Sequence, residues 1–181
     1  MRIGIVGAAG TGKSTLTREL SHRLGMPLVP DFVPEVLKEH GKDSWKGVLD
    51  WKLRRAIRME ALRRKIAAEA QHERFVSDKT VVDYLAYWLQ NQAEKEDRDQ
   101  NLEFIDLVRT GADRYDCCVY LPYRPQVDFA HGRNQDSVHN LKVAANKRGL
   151  LTVFEVPTVD APYEFGEDVK AWCERWLGRL P

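Results

Sequence analysis

Residues 7 to 15 run Gly-Ala-Ala-Gly-Thr-Gly-Lys-Ser-Thr, directly after the apolar run Ile3-Gly4-Ile5-Val6 and directly before a helical pattern. Glycines at 7, 10 and 12 let successive backbone N–H groups turn inward with no Cβ in the way. The helix that follows adds the partial positive charge of its N-terminus. The chemistry of such a stretch is phosphate binding. Gly7, Ala8, Ala9, Gly10, Thr11, Gly12, Lys13, Ser14 and Thr15 form the candidate cradle. In that arrangement Lys13 reaches the β- and γ-phosphates, and the Ser14 hydroxyl completes a Mg²⁺ shell.

Further along the chain, Asp31 and Glu35 lie just past a short apolar run, at the strand edge where open parallel sheets bind ligands. Asp31 is placed to take a hydroxyl proton or hold the metal, or else to cap the helix that follows. Glu35, one turn on, competes for the same work. Asp78 ends the run Phe75-Val76-Ser77, where an acid holds a Mg²⁺ water shell or caps a helix. Arg124 and Arg133 fall in a segment with two prolines, a glycine and no periodicity, which reads as a closing flap over residues 122–134. An arginine there neutralises charge on a transferred phosphoryl group.

The elements that position these groups alternate. A strand at about 2–6 precedes a helix at 13–24 with Leu16, Leu20 and Leu24 at helical spacing, stopped by Gly25 and Pro27. Leu28-Val29 is a second strand, and Phe75-Val76-Ser77 a third. Between them, residues 47–74 carry an apolar stripe of Val48, Leu49, Leu53, Ile57, Leu62 and Ile66. The remaining faces of that helix hold Lys52, Arg54, Arg55, Arg58, Arg63, Arg64 and Lys65 interleaved with glutamates, the pattern of a solvated surface. Val82, Leu85 and Leu89 mark the next helix, which carries Tyr84, Tyr87 and Trp88 as core or base-stacking aromatics. A helix from Leu102 to Gly111, a strand at 116–122, a helix with Val138, Leu141 and Ala145, a strand at 150–156 and a C-terminal helix at 169–177 complete the chain.

With 181 residues and 43% apolar content, the sequence reads as one α/β domain spanning 1–181. The net charge of +1 supplies no global field for nucleic acid or lipid, so any basic site is local. No long apolar run marks a membrane span or a secretory leader, and a cytoplasmic protein is expected. Cys117, Cys118 and Cys173 have neither disulfide nor metal spacing and read as core residues.

The chain resembles the small P-loop kinases of nucleoside and nucleotide kinase architecture, and more narrowly the AAA-type ATPase and kinase domain family that includes the ribosylnicotinamide kinase domain. The likeness rests on residues 7–15, on Val29-Pro30-Asp31-Phe32, on Ser77-Asp78-Lys79-Thr80 followed by Asp83 and Leu85-Ala86-Tyr87, and on the flap-like 128–133. It implies a three-layer P-loop NTPase fold with five parallel strands in the order 2-3-1-4-5. It also implies ATP as donor with Mg²⁺ and a small hydroxylated or phosphorylated metabolite as acceptor; the balanced charge and the lack of a long apolar run point away from nucleic-acid and membrane partners. By the same resemblance Asp31 is the acid nearest the acceptor, Asp78 and Lys79 the substrate or metal pair, and Arg133 the flap arginine. Phe32, Glu35, Tyr84 and Arg124 are further candidates to bind the acceptor, beside Asp31 and Lys79. Pro34 stands where related sequences often carry arginine. Lys79 replaces a planar fork by a point charge.

Two other readings use the same loop. A nucleotide switch needs Asn-Lys-x-Asp to read guanine, and Asn146-Lys147-Arg148-Gly149 lacks the aspartate. A polynucleotide 5'-hydroxyl kinase would use the basic helix as its backbone track, with binding that weakens steeply in salt.

Overall fold

The computed structural model of the chain describes residues 1–123 and 137–161, together with Ala171. Strand β1 (Arg2–Gly7) is an almost continuous apolar run because it lies in the middle of the sheet and both its faces are covered. Helix α1 (Lys13–Leu24) and strand β2 (Leu28–Val29) follow, then helix α2 (Val33–Glu39), helix α3 (Trp51–Ala70) and strand β3 (Phe75–Asp78). Helix α4 (Val81–Asn91), helix α5 (Arg98–Ala112), strand β4 (Cys117–Leu121), helix α6 (Ser137–Val153) and strand β5 (Thr158–Asp160) complete the described elements. The strands form one parallel sheet in the order β2-β3-β1-β4-β5. That is the order the resemblance implies.

Each face of the sheet has its own core. Ile3 and Ile5 of β1 meet Leu16 and Leu20 of α1, with Val76, Val119 and Leu121 from the flanking strands. The opposite face packs α3, α4 and α5 around Ile57, Leu62, Leu85, Trp88, Phe104 and Val108. There the Trp88 and Phe104 rings stack with centroids 4.1 Å apart. Cys118 is buried and Cys117 half-buried, and neither is in a disulfide. No helix among the described residues is long and apolar enough to cross a membrane.

Three sequence expectations are corrected. The last strand is Thr158–Asp160 and not 150–156. The run Leu-Leu-Thr-Val continues α6 to Val153, and the chain then turns with Glu155 at a φ of 52° while the Val156 N–H donates to Leu151 O at 3.0 Å. A short apolar run fits either helix or strand, and here the preceding turns of α6 decide it. Helix α3 begins at Trp51, capped by Asp50, whose side chain accepts from the Lys52 N–H at 2.8 Å. Residues 47–50 precede it as turn and extended chain. Finally, the basic face of α3 is not uniformly solvated, because Arg58 and Lys65 are buried. The expected flap around Arg124 and Arg133 and the helix at 169–177 lie outside the described residues.

Lys65 explains why a cation belongs in this core. Its ammonium donates to Val29 O at 3.1 Å, Pro30 O at 2.9 Å and Asp78 O at 3.0 Å, carbonyls at the ends of β2 and β3. Glu69, one turn further along α3, stands 3.7 Å from it. That carboxylate also accepts from the Ser77 hydroxyl and from the Tyr115 hydroxyl. Burial pushes the lysine down to about 8 and the glutamate up, so each group depends on its partners to remain charged. Replacing Lys65 by Met leaves three strand-end carbonyls without this donor and Glu69 without its ammonium, its hydroxyl partners remaining. Urea unfolding is expected to show a loss of about 3 kcal/mol; a loss below about 1 kcal/mol contradicts the assigned role.

Candidate active site

The carboxyl edge of the sheet gathers the loop, two acids and three lysines. Gly10 and Gly12 have φ of 83° and 86°, the left-handed region that glycine enters freely. A Cβ on Gly7 would lie 2.8 Å from Leu121 O, so glycine is required where the loop leaves β1. Gly12 caps α1 with no side-chain bond, leaving the first N–H groups of that helix available to an anion. Ser14 and Thr15 are exposed on its first turn. Thr11 turns inward and donates to Ala8 O at 3.0 Å.

Lys13 is buried, and its ammonium donates back to Ala8 O of its own loop at 2.5 Å. No carboxylate pairs with it among the described residues. Burial, then repulsion from Lys147, pushes it down to about 7. A buried lysine with a carbonyl and no counter-ion is the state expected of a group whose proper partner is a phosphate oxygen. The glycine backbone, the uncapped helix start and this lysine fit a nucleoside triphosphate, and the exposed Ser14 fits the hydroxyl ligand of its Mg²⁺. Among the described residues no group of three or more His, Cys, Asp or Glu is arranged to hold a metal by itself.

Asp31 stands at the end of β2 in a dense set of bonds. One carboxylate oxygen accepts from the Val33 N–H at 3.1 Å and from the Tyr84 hydroxyl at 2.9 Å, and the other is paired with Lys79. The Tyr84 hydroxyl in turn accepts from the Phe32 N–H at 3.1 Å. Burial pushes Asp31 upward, but Lys79, the Val33 N–H and Tyr84 outweigh it and hold the carboxyl below its ordinary value. Lys79 itself sits at a φ of 59°, a left-handed position a lysine seldom takes. Burial works against its charge, yet Asp31 leads the groups that raise it above the ordinary lysine value. Tyr84 is buried, and its hydroxyl is committed to Asp31, so it positions the acid.

Asp78 is half-buried at the end of β3, and its side chain makes no hydrogen bond among the described residues. Capping of α4 falls to Thr80 and Asp83, which bond each other's backbone N–H groups, so Asp78 is left free of that duty. Glu35 goes elsewhere: it is exposed and pairs with Arg64 at 2.9 Å in a cluster with Glu39 and Glu60. Phe32 is half-buried against the core at the start of α2. Arg124 and Arg133 lie outside the described residues.

Sequence reasoning missed Lys147 and Asp83. Lys147 is fully buried on α6; its ammonium donates to Gly7 O at 2.6 Å and lies 2.6 Å from Asp83. The Tyr87 ring stands between two ammonium groups, Lys147 at 4.7 Å and Lys79 at 5.8 Å from its centroid. A continuous path of side chains therefore runs from the first carbonyl of the loop to Asp31. The signal was present as a lysine on the apolar side of α6, between Val143 and Leu151, but a single helical lysine reads as surface.

A family model described as an AAA domain matches residues 2–168. No curated protein matches the chain in sequence. Among solved structures, a deoxyadenosine kinase from M. mycoides with dCMP and dCDP bound superposes with a TM-score of 0.71 at 20% identity, covering 99% of this chain and 98% of that one. NadR protein in complex with NR gives 0.66 at 14% identity, over 99% of this chain and 51% of that one. Thymidylate kinase from Ehrlichia chaffeensis gives 0.61 at 18% identity, over 98% of both chains. The fold is that of the P-loop kinases.

If Lys13 is held largely neutral until phosphate arrives, nucleotide binding must carry a proton. A phosphate in the cradle returns the lysine toward its ordinary 10.5 from about 7, so protons are taken up on binding between those values. Calorimetry of AMP-PNP binding at about pH 8.5 in buffers of different ionisation enthalpy is expected to show uptake of about one proton. No uptake at that pH contradicts the arrangement.

Proposed function

The chain belongs to the AAA domain family, matched over residues 2–168, and from that premise we propose that it catalyses ATP- and Mg²⁺-dependent phosphoryl transfer to a hydroxyl or phosphate of a small metabolite. A nucleoside, a nucleotide or a ribosylated cofactor precursor is the acceptor class. The observation that carries the reading is the junction of the glycine-rich loop, where Lys13 rests on a loop carbonyl, with an ion-paired aspartate at the neighbouring strand end. The relatives of the same fold with deoxyadenosine kinase and thymidylate kinase in their names, and the NR complex, support a nucleoside-like acceptor.

ATP with its Mg²⁺ supplies an activated terminal phosphoryl group and part of its charge neutralisation. The chain's own residues do the positioning. Lys13 exchanges Ala8 O for phosphate oxygens, and the loop N–H groups and the start of α1 fix the donor. Asp78, with no capping duty, serves the metal's water shell. Asp31 offers about four lone-pair sites. Three donors already use it, which leaves room for one hydroxyl. Because Lys79 and Tyr84 keep Asp31 ionised and weakly basic, its work is to orient the hydroxyl and accept the proton late, which a loose transition state permits. Lys79 holds that carboxylate in one rotamer, and Arg133 is the flap residue that would meet the phosphoryl group.

The test is ADP formation screened against nucleosides, nucleotides, ribosylated cofactor precursors and sugars, with Lys13→Ala as the inactive control. Acceptor-dependent turnover is expected. With the acceptor found, Asp31→Asn is expected to lower kcat about a hundred- to ten-thousandfold while the affinity for AMP-PNP stays within about threefold. Full turnover by Asp31→Asn overturns its role. ATP hydrolysis that ignores every acceptor overturns the kinase reading in favour of a nucleotide switch.

A further inference from the structure

Four cations are buried among the described residues: Lys13, Arg58, Lys65 and Lys147. The three lysines each donate to backbone carbonyls. Arg58 does not. It is 8% exposed, its Nε is buried without a hydrogen-bond partner, and no ion pair reaches it among the described residues. Its guanidinium lies 4.4 Å over the Trp45 ring, a contact that fixes the plane but neutralises nothing. Burial lowers it to about 10, with Arg54 adding to the shift, so it remains a cation at neutral pH.

Among the described residues its neighbours bring no carboxylate that is not already paired. Arg54 is committed to Val48 O and Trp45 O, and Arg55 to Glu96. The reacting end of the site, by contrast, is balanced in charge, with Lys79 paired to Asp31 and Lys147 to Asp83. Arg58 and Lys65 share one face of α3, seven residues and so about 10 Å apart along the axis. Tyr87 acts electrostatically on Arg58, and the Tyr87 ring faces Lys79, the partner of Asp31, so Arg58 lies beyond Tyr87 as seen from the reacting aspartate.

We propose that Arg58 is a distal anion site: the acceptor carries, away from its reacting hydroxyl, a carboxylate or phosphate that takes the open guanidinium fork. A guanidinium presents paired donors that match either group, and a buried one without a counter-ion favours an anion over a neutral oxygen. The proposal rests on the kinase reading above and narrows its acceptor to a molecule with one acidic end.

Binding of acid and neutral twins tests it without requiring transfer. With AMP-PNP in the loop, calorimetry compares nicotinic acid riboside with nicotinamide riboside and orotidine with uridine for the carboxylate arm. Ribose 5-phosphate against ribose serves the phosphate arm. At least one acid is expected to bind the wild type tenfold or more tighter than its twin. Arg58→Met should bring that ratio to within threefold with an equal or higher Tm, and Arg58→Lys should keep part of the preference. The proposal is overturned if no acid outbinds its twin, if the preference survives in Arg58→Met, or if Arg58→Met lowers Tm with no acid preference in the wild type. ADP formation with the Lys13→Ala control reports separately on the kinase reading.

Discussion

A parallel sheet ends in carbonyl oxygens that no further strand can satisfy, and burying them without donors is costly. In this chain the ends of β1, β2 and β3 are met by lysine ammonium groups. Lys147 takes Gly7 O, Lys13 takes Ala8 O, and Lys65 takes Val29 O, Pro30 O and Asp78 O. An ammonium is suited to the task because it has three donors and no acceptor. The cost is a buried charge, and the remaining acids of the region answer it, with Glu69 near Lys65 and Asp83 on Lys147.

That bookkeeping separates permanent structure from working parts. Lys65 and Lys147 have both carbonyl and carboxylate partners, and each joins a helix to a strand end. Lys13 has a carbonyl and no carboxylate. It is therefore the member of the set whose partner can be exchanged at least expense, and it is the one in the phosphate loop. The same logic applies to Asp31, which is ion-paired yet keeps a lone pair in reserve, and to Arg58, which keeps a whole fork. Lys79 in a left-handed backbone position is consistent with local strain held in place by its ion pair with Asp31.

The parts of this organisation written in local sequence were readable in advance. The glycine spacing of 7–15, the alternation of strand and helix and the acid after β2 all depend on neighbours a few residues away. What was not readable depends on partners far along the chain. Lys65 meets Val29, and Lys147 meets Gly7 across 140 positions. A lysine on a helix gives no sign of a carbonyl waiting for it on another element. Arg58 and Lys65 vanished into a basic face for that reason, and nothing local to Asp83 announced Lys147 as its partner. The misplaced last strand has a different cause. Leu150 to Val156 is apolar enough for either element, and only the continuity of α6 with β5 pairing beyond it separates the two.

The central claim is that the loop is a phosphate cradle whose lysine is stored on its own backbone beside a held aspartate. A crystal structure with AMP-PNP and Mg²⁺ bound measures this directly. The account predicts the triphosphate inside residues 7–15, Lys13 moved from Ala8 O to phosphate oxygens, and Asp31 still paired with Lys79. A nucleotide seated elsewhere, with Lys13 unmoved on Ala8 O, would contradict it.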